Sequence, residues 1–479
     1  MNDLLHTHWP GICAAGALIA LLVLIIRYQV HAFIALFGIS LGLGLAGGLG
    51  PPQVIEAIHK GIADILREIV LLLAFGAILG RLLETSGAAE LIARRIINAF
   101  GQKKAALAIL VAAFLIGIPI LFNVGFLVLI PIIWRLQRET KQSLLRYLLP
   151  LCFSLGVTHS LVPPHPGIVA AVTTIAGPSA ADRVMVETIL FGIVLALPMV
   201  LVGWFGPGRW WADRQYVTVP EHLSAVAEQK EPPVAKSLPL ALCIVLAPLV
   251  LSVAGFGAKL LADLRWLPER MTWVFFESQD LPSYLRWLNH APLAWLLFLG
   301  KPTVALFVPT SIAFWAYGLR RGWSQAKLAQ LTSGSLIDVG GMLFLFGAAG
   351  GFKEVIEAAG IGRYLAELMR GLPLSPVAVS FCVAALMRLA MGSATASIMA
   401  ASAFLAGLAR ELPGMETLIV LATACGVTVS TQPADSGFWM IKEYGNLSTS
   451  DVLLRVNGCR LLMALTGLAI LLTAEWWMV

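Results

Sequence analysis

THSLVPPHPGIVAA, residues 158–171, carries two histidines and three prolines inside a stretch that is otherwise apolar enough to cross a membrane. Proline inside a helix removes a backbone donor and clashes with the preceding turn, so Pro163, Pro164 and Pro166 unwind the helix locally. The backbone groups freed in this way are tolerated in a membrane only where they are buried in protein or line a polar cavity. Gly167 then lets a second half-helix begin with bare N–H groups, an arrangement that favours anions. A plain proline kink would not need Thr158, His159, Ser160 and His165 around it. The break therefore reads as part of a binding site inside a membrane.

The bulk composition agrees. Of 479 residues, 58% are hydrophobic and 13% charged, against about 25% charged in an ordinary soluble domain, and mean hydropathy is +0.85. Apolar runs around 11–26, 30–49, 62–83, 184–205, 238–257, 303–319, 333–349 and 452–474 suit a hydrocarbon core of about 30 Å. None alternates with the period of a barrel strand, so helices must carry them. Cys13, Cys152, Cys243, Cys382, Cys425 and Cys459 lack metal-ligand spacing and read as small packing residues, with no cofactor or metal implied. The start, MNDLLHTHWPG, lacks the basic n-region of a signal peptide and reads as an uncleaved first helix. The net charge of +6 is spread over loops that flank the spans, which fits anionic lipid and not nucleic acid.

Short loops rich in Lys and Arg face the cytoplasm. Arg94, Arg95, Lys103 and Lys104 on one side, and Arg135, Arg138, Lys141 and Arg146 on the other, flank residues 105–134, which GIPILFNVG interrupts at the middle. With both flanks cytoplasmic, the stretch enters and returns as a re-entrant hairpin with Asn123 and Gly125 near its tip. LLETSGAAELIARRI (82–96) aligns without gaps on VIEAAGIGRYLAELM (355–369), with Glu84 over Glu357, Gly87 over Gly360 and Ala93 over Ala366. Each copy is followed by an apolar segment with a polar break, FNVG (122–125) or GSAT (392–395). A long span then follows, broken at PPHPG (163–167) or at STQPADSG (430–437). Counting spans from a cytoplasmic Arg27, past a cytoplasmic Arg320 and Arg321, puts the two hairpins on opposite sides.

The expected fold class is an all-α polytopic membrane protein of two inverted-topology repeats, each with a re-entrant helical hairpin and a broken transmembrane helix, meeting near the midplane. Residues 1–29 form an extra N-terminal transmembrane helix. Residues 30–205 form the first repeat, with its hairpin at 105–134 and broken helix at 145–177. Residues 206–237 are a cytoplasmic linker, and 238–302 an extra helix and a periplasmic interfacial segment containing Trp266, Trp273 and Trp287. Residues 303–475 form the second repeat, with its hairpin at 374–409 and broken helix at 415–444.

Histidine titrates near neutral pH, so His159 and His165 are candidates for proton coupling or for donors to a carboxylate; packing histidines are the alternative. In the second break, Thr428, Ser430, Thr431, Gln432 and Ser436 surround Asp435. An intramembrane carboxylate is costly unless it pairs or binds something, and Asp435 also suits a cap on the half-helix FWMIKEYG. Arg388 pairs with a substrate carboxylate or with Asp435, or else snorkels to the interface. Asp338 is a further buried acid, unless it simply bonds Ser335 or the backbone. Asn123, Ser393 and Thr395 at the hairpin tips suit a polyhydroxylated ligand, or stabilise their own turns. Thr158 and Gly167 complete the candidate set. Glu84, Glu90, Glu354 and Glu357 read as decoration of surface helices, and the Trp pairs at 210–211 and 476–477 as interface anchors.

HSLVPPHPG (159–167), with LLETSGAAELIA upstream and RLAMGSATAS and ADSGFWMIKEYGNLS downstream, resembles the gluconate permease (Gnt) family of bacterial transporters within the ion transporter superfamily. The resemblance covers about residues 38–475. It implies proton-coupled uptake of a small hydroxylated carboxylate such as gluconate, by an elevator-type movement, in the bacterial inner membrane and often as a homodimer. By position, it puts His159, His165 and Gly167 in the first broken helix, Ser393 and Thr395 in the second hairpin, and Asp435, Ser436 and Gly437 in the second broken helix. The chain departs from the family pattern at Asn123, where Asp is usual, at Ile168, where Pro is usual, and at Thr431–Gln432–Pro433–Ala434, where a Ser-His-Val-Asn run is usual.

The expectation is a transporter whose partners are a small organic anion, protons and the lipid bilayer. The alternatives are sodium-coupled or exchange transport of another solute by the same fold, such as a dicarboxylate or a small hydroxy amino acid, and an intramembrane metal enzyme using His159 and His165. The histidine spacing does not match helical HExxH ligation, and paired broken helices would be costly to keep in a mere scaffold.

Overall fold

A computed structural model describes residues 2–220, 235–263, 292–362, 364, 375–433 and 435–478. Among them the only regular elements are helices, as expected of a backbone that must satisfy its own hydrogen bonds in lipid. Helices α1 (Asn2–Ile26) and α2 (Ala32–Ala46) precede a set of five: the long α3 (Pro51–Thr85), the short α4 (Ala88–Phe100), a hairpin of α5 (Ala105–Gly117) and α6 (Phe122–Thr140), and α7 (Leu145–Leu161). After a break comes α8 (Pro166–Gly203), which Gly177 divides into a half-helix and a separate span. Then follow α9 (Arg209–Arg214), α10 (Leu238–Asp263), α11 (Pro292–Gly300) and α12 (Pro302–Ala313). The earlier order returns with the long α13 (Gln325–Ala358), a hairpin of α14 (Pro376–Met391) and α15 (Ala394–Arg410), the broken pair α16 (Glu416–Val427) and α17 (Ser436–Tyr444), and a closing span, α18 (Asn457–Met478).

The two glycines superposed by the internal alignment have the same conformation. Gly87 has φ 73° and Gly360 φ 70°, a left-handed geometry that only glycine adopts cheaply and that ends a helix while redirecting the chain. After the first of them, α4 bends by 111° into the hairpin arm α5. In the second copy residues 363 and 365–369 lie outside the described residues, as do residues 221–234 of the linker and Trp266, Trp273 and Trp287 of the interfacial segment.

Seven of the described helices are long and apolar enough to cross a membrane. The runs at 30–49 and 62–83 are not among them, the second because Asp64, Arg67, Glu68, Arg81 and Glu84 interrupt its helix. Helix α2 has 15 residues, about 22 Å of rise, because Gly47, Gly48 and Gly50 before Pro51 stop it early. The acids placed on surface helices prove to be partly or fully buried ties. Glu90 bonds Arg94 at 2.7 Å, and Glu357 bonds Arg410 at 2.7 Å. Of the tryptophan anchors, Trp211 is buried, while Trp210, Trp476 and Trp477 are exposed. Cys243 and Cys382 are exposed and the other four cysteines buried.

The long helices α3 and α13 cross at glycine. A side chain on Gly61 would overlap the Gly350 carbonyl, and one on Gly350 would overlap the Gly61 carbonyl. Close backbone approach of this kind is how membrane helices gain packing without a hydrophobic driving force. Gly61→Val is expected to destabilise the protein by about 1–3 kcal/mol through overpacking, read as a lower melting temperature in detergent. An unchanged melting temperature would show that the crossing is looser than this.

Burial separates two zones. Helices α7, α15 and α16 are almost wholly buried, whereas Leu190, Phe191 and Val194 of α8, Phe307 of α12 and Leu461 and Leu465 of α18 point outward. Bulky apolar side chains facing out suit lipid contact, and α7, α15 and α16 form the protected centre. The first break therefore lies where water is scarce and every freed backbone group needs a partner, whereas the second opens to the surface at Pro433 and Ser436.

Candidate functional site

The first break runs from Val162 to His165, between α7 and α8, and contains a cis peptide bond at Pro163–Pro164. Pro166 occupies the first helical position of α8, where its missing N–H costs nothing. His165 is buried, and its Nε2 lies 2.5 Å from the carbonyl oxygen of Gly117, the last residue of hairpin arm α5. A carbonyl can only accept, so Nε2 carries the proton and Nδ1 holds a lone pair. His159 Nδ1 lies 3.2 Å from that Nδ1, so in the neutral pair His159 donates through Nδ1 and keeps its own lone pair on Nε2. Both nitrogens of His165 are thus engaged, which leaves it no lone pair for a metal. His165 pins the hairpin to the break; His159 faces the cavity.

The second break, between α16 and α17, frees a run of carbonyls, and three long polar side chains cover them. Arg460 Nε donates to Thr428 at 3.2 Å and Arg388 Nε to Ser430 at 2.8 Å. Asn457 donates to the Thr431 carbonyl at 2.9 Å and accepts from the Thr431 N–H at 2.8 Å. Arg388 also donates to the Gly392 carbonyl at the second hairpin tip, and its Nη2 lies 2.7 Å from Asp435 Oδ2. The guanidinium, 1% exposed, therefore joins hairpin, break and half-helix. Of the partners considered for it, the structure gives Asp435. Asp435 in turn caps α17, its Oδ1 accepting from the Gly437 N–H at 3.0 Å.

The hairpin tips cross over. Asn123, in the first turn of α6, donates to Ser436 Oγ at 2.9 Å and so ties the first hairpin to the second break. Thr395, in the first turn of α15, lies against Gly167 of the first break, where an added Cβ would come within 3.2 Å of the Thr395 Cα.

Between these parts lies a cavity of about 200 Å³. It thus has room for a solute of sugar-acid size. Asn123, His159, Arg388, Ser393, Thr395, Thr431, Asp435 and Ser436 line it together with Phe122, Ser160, Met342, Ile441 and Arg460. Thr158, His165 and Gly167 do not. Thr158 Oγ1 bonds back to the Ser154 carbonyl at 2.9 Å within its own helix, His165 lies behind His159, and Gly167 provides close packing.

A wider crevice of about 1010 Å³ shares Met342 and Ser393 with the cavity and extends past Asp338 to Gln29 and His31. Asp338 is exposed, not buried, and Ser335 bonds the Leu331 carbonyl instead of it. Arg460 and Asn457 escaped the sequence reading, although a charged residue inside the final apolar run was its available signal.

A family model described as GntP family permease matches residues 9–477. The chain is 32% identical to a gluconate permease of Pseudomonas aeruginosa over 98% of this chain and 99% of the relative. It is 29% identical to the Gnt-II system L-idonate transporter of Escherichia coli K12 over 96% and 97% of the two chains. The crystal structure of the YdaH transporter of Alcanivorax borkumensis, described as having an unusual topology, superposes with a TM-score of 0.62 at 14% identity, covering 93% of this chain and 98% of that one. That likeness concerns the fold.

Proposed function

This chain belongs to the GntP permease family, and from that premise and the geometry of the cavity we propose that it imports a small hydroxylated monocarboxylate, gluconate or a related sugar acid, by proton symport. It is a multi-pass inner-membrane transporter and not an enzyme. The observation that carries the substrate reading is the lining of the cavity. Hydroxyls of Ser160, Ser393, Thr395, Thr431 and Ser436 and the amide of Asn123 stand beside two guanidinium groups and one carboxylate. Hydroxyls and an amide match a polyol chain, and the excess positive charge matches one carboxylate.

Proton coupling is assigned to His159. Its Nε2 lone pair can take a proton while Nδ1 continues to donate to His165, so loading does not require the pair to rearrange. The shared crevice is the substrate's route to the site. By the basic-loop rule its Arg27 end is cytoplasmic, which fits an inward-open state of an elevator-type cycle in which hairpins and broken helices move together.

Uptake of labelled gluconate into proteoliposomes is the test. Uptake should rise when the outside is made acidic at constant sodium. Stimulation by sodium at constant pH, with none by a pH gradient, would reject proton symport and favour a sodium-coupled carrier.

A further inference from the structure

Among the described residues, Arg460 is the cavity's cation that no acid bonds directly. It is buried, and its Nε is held by the Thr428 carbonyl. Among the described residues its terminal nitrogens Nη1 and Nη2 form no hydrogen bond or ion pair. Arg388 differs on this point, since its three nitrogens are engaged by Ser430, Gly392 and Asp435. Across from Arg460, an added Cβ on Gly156 of α7 would come within 3.2 Å of Nη1, so the glycine leaves the guanidinium room beside the cavity.

An unpaired guanidinium inside a membrane protein is costly, and it is retained where it meets an ion or substrate. We propose that Arg460 is the carboxylate receptor of this transporter, gripping the substrate's carboxylate through Nη1 and Nη2, while Arg388 is a strut that holds the second break. The inference rests on the sugar-acid reading above. It also deepens that reading: Arg388 and Asp435 cancel, so with neutral histidines the cavity carries one net positive charge, which suits a monocarboxylate better than a dicarboxylate. Two parallel N–H donors match the two oxygens of a carboxylate, and a lysine ammonium could not reproduce that fork.

The test compares equilibrium binding of gluconate and of its neutral isostere gluconamide to purified wild type, Arg460→Gln and Arg460→Lys. Arg460→Gln should weaken gluconate binding about 10- to 150-fold, the range set by loss of hydrogen bonds to a charged group. Gluconamide binding should change by less than about threefold on the same reasoning, so the preference for the anion collapses. Arg460→Lys should lose about tenfold for gluconate; it carries the test alone if Arg460→Gln is not recovered as monodisperse protein. Retention of the wild-type preference for gluconate in either variant would overturn the assignment of Arg460. Failure of the wild type itself to bind gluconate would instead overturn the sugar-acid reading, and the inference with it.

Discussion

Replacing Arg388 by methionine is expected to cost this transporter about 3–5 kcal/mol of stability, the range for breaking a buried pair by removing one partner. Methionine fills much of the same volume but donates nothing. The Ser430 and Gly392 carbonyls would lose their donor, and Asp435 would lose the cation it is bonded to. The hairpin tip, the break and the start of α17 would come apart together, because one side chain joins all three. The measurement is thermal unfolding in detergent, with Asp435→Asn as a companion. Asparagine has one acceptor oxygen in place of two, so it can keep the Gly437 bond but not the Arg388 one; because Arg388 still holds the Ser430 and Gly392 carbonyls, it should lose less than Arg388→Met. Equal losses would mean that the charge pair matters and the carbonyl bonds do not; no loss in either would remove the strut from the description.

His159→Gln is expected to separate binding from coupling. The glutamine amide can still donate to His165 Nδ1, so the His165–Gly117 anchor should persist and gluconate affinity should stay within about tenfold, the scale of one hydrogen bond. Glutamine cannot take up a proton. Accumulation driven by an acid exterior should therefore fall by about 100-fold, within the range for loss of a positioned acid–base group, while exchange of labelled for unlabelled gluconate across the vesicle continues. If the variant still accumulates gluconate against its gradient when the outside is acidic, the proton is carried elsewhere, and Asp435 is the next group to examine.

Much of this organisation is legible in the chain. Proline and glycine act through local sterics, so PPHPG and the Gly87/Gly360 pair announce a helix break and a helix end wherever they occur. The apolar runs announce the membrane for the same local reason. Helix length was less accessible at α2, where a run long enough to span is cut short by glycines that sequence alone also permits inside membrane helices. The acids were harder still: Asp338 and Glu90 look alike on a list of intramembrane and surface carboxylates, yet Asp338 is exposed and Glu90 is buried.

An all-helical membrane chain with a doubled order of elements and two polar breaks follows from the order of residues alone, because turn chemistry and hydrophobic length are properties of consecutive residues. Which groups answer the breaks depends on the packing of distant helices. Asn457 and Arg460 lie outside the second break's own segment, and Gly117 is 48 residues from His165. A buried carbonyl takes its donor from whichever helix packs against it, and that packing is set by the whole fold. It is the same reason that Arg388 and Arg460, both arginines lining the cavity, differ: protein acceptors engage all three nitrogens of the first, and only Nε of the second among the described residues.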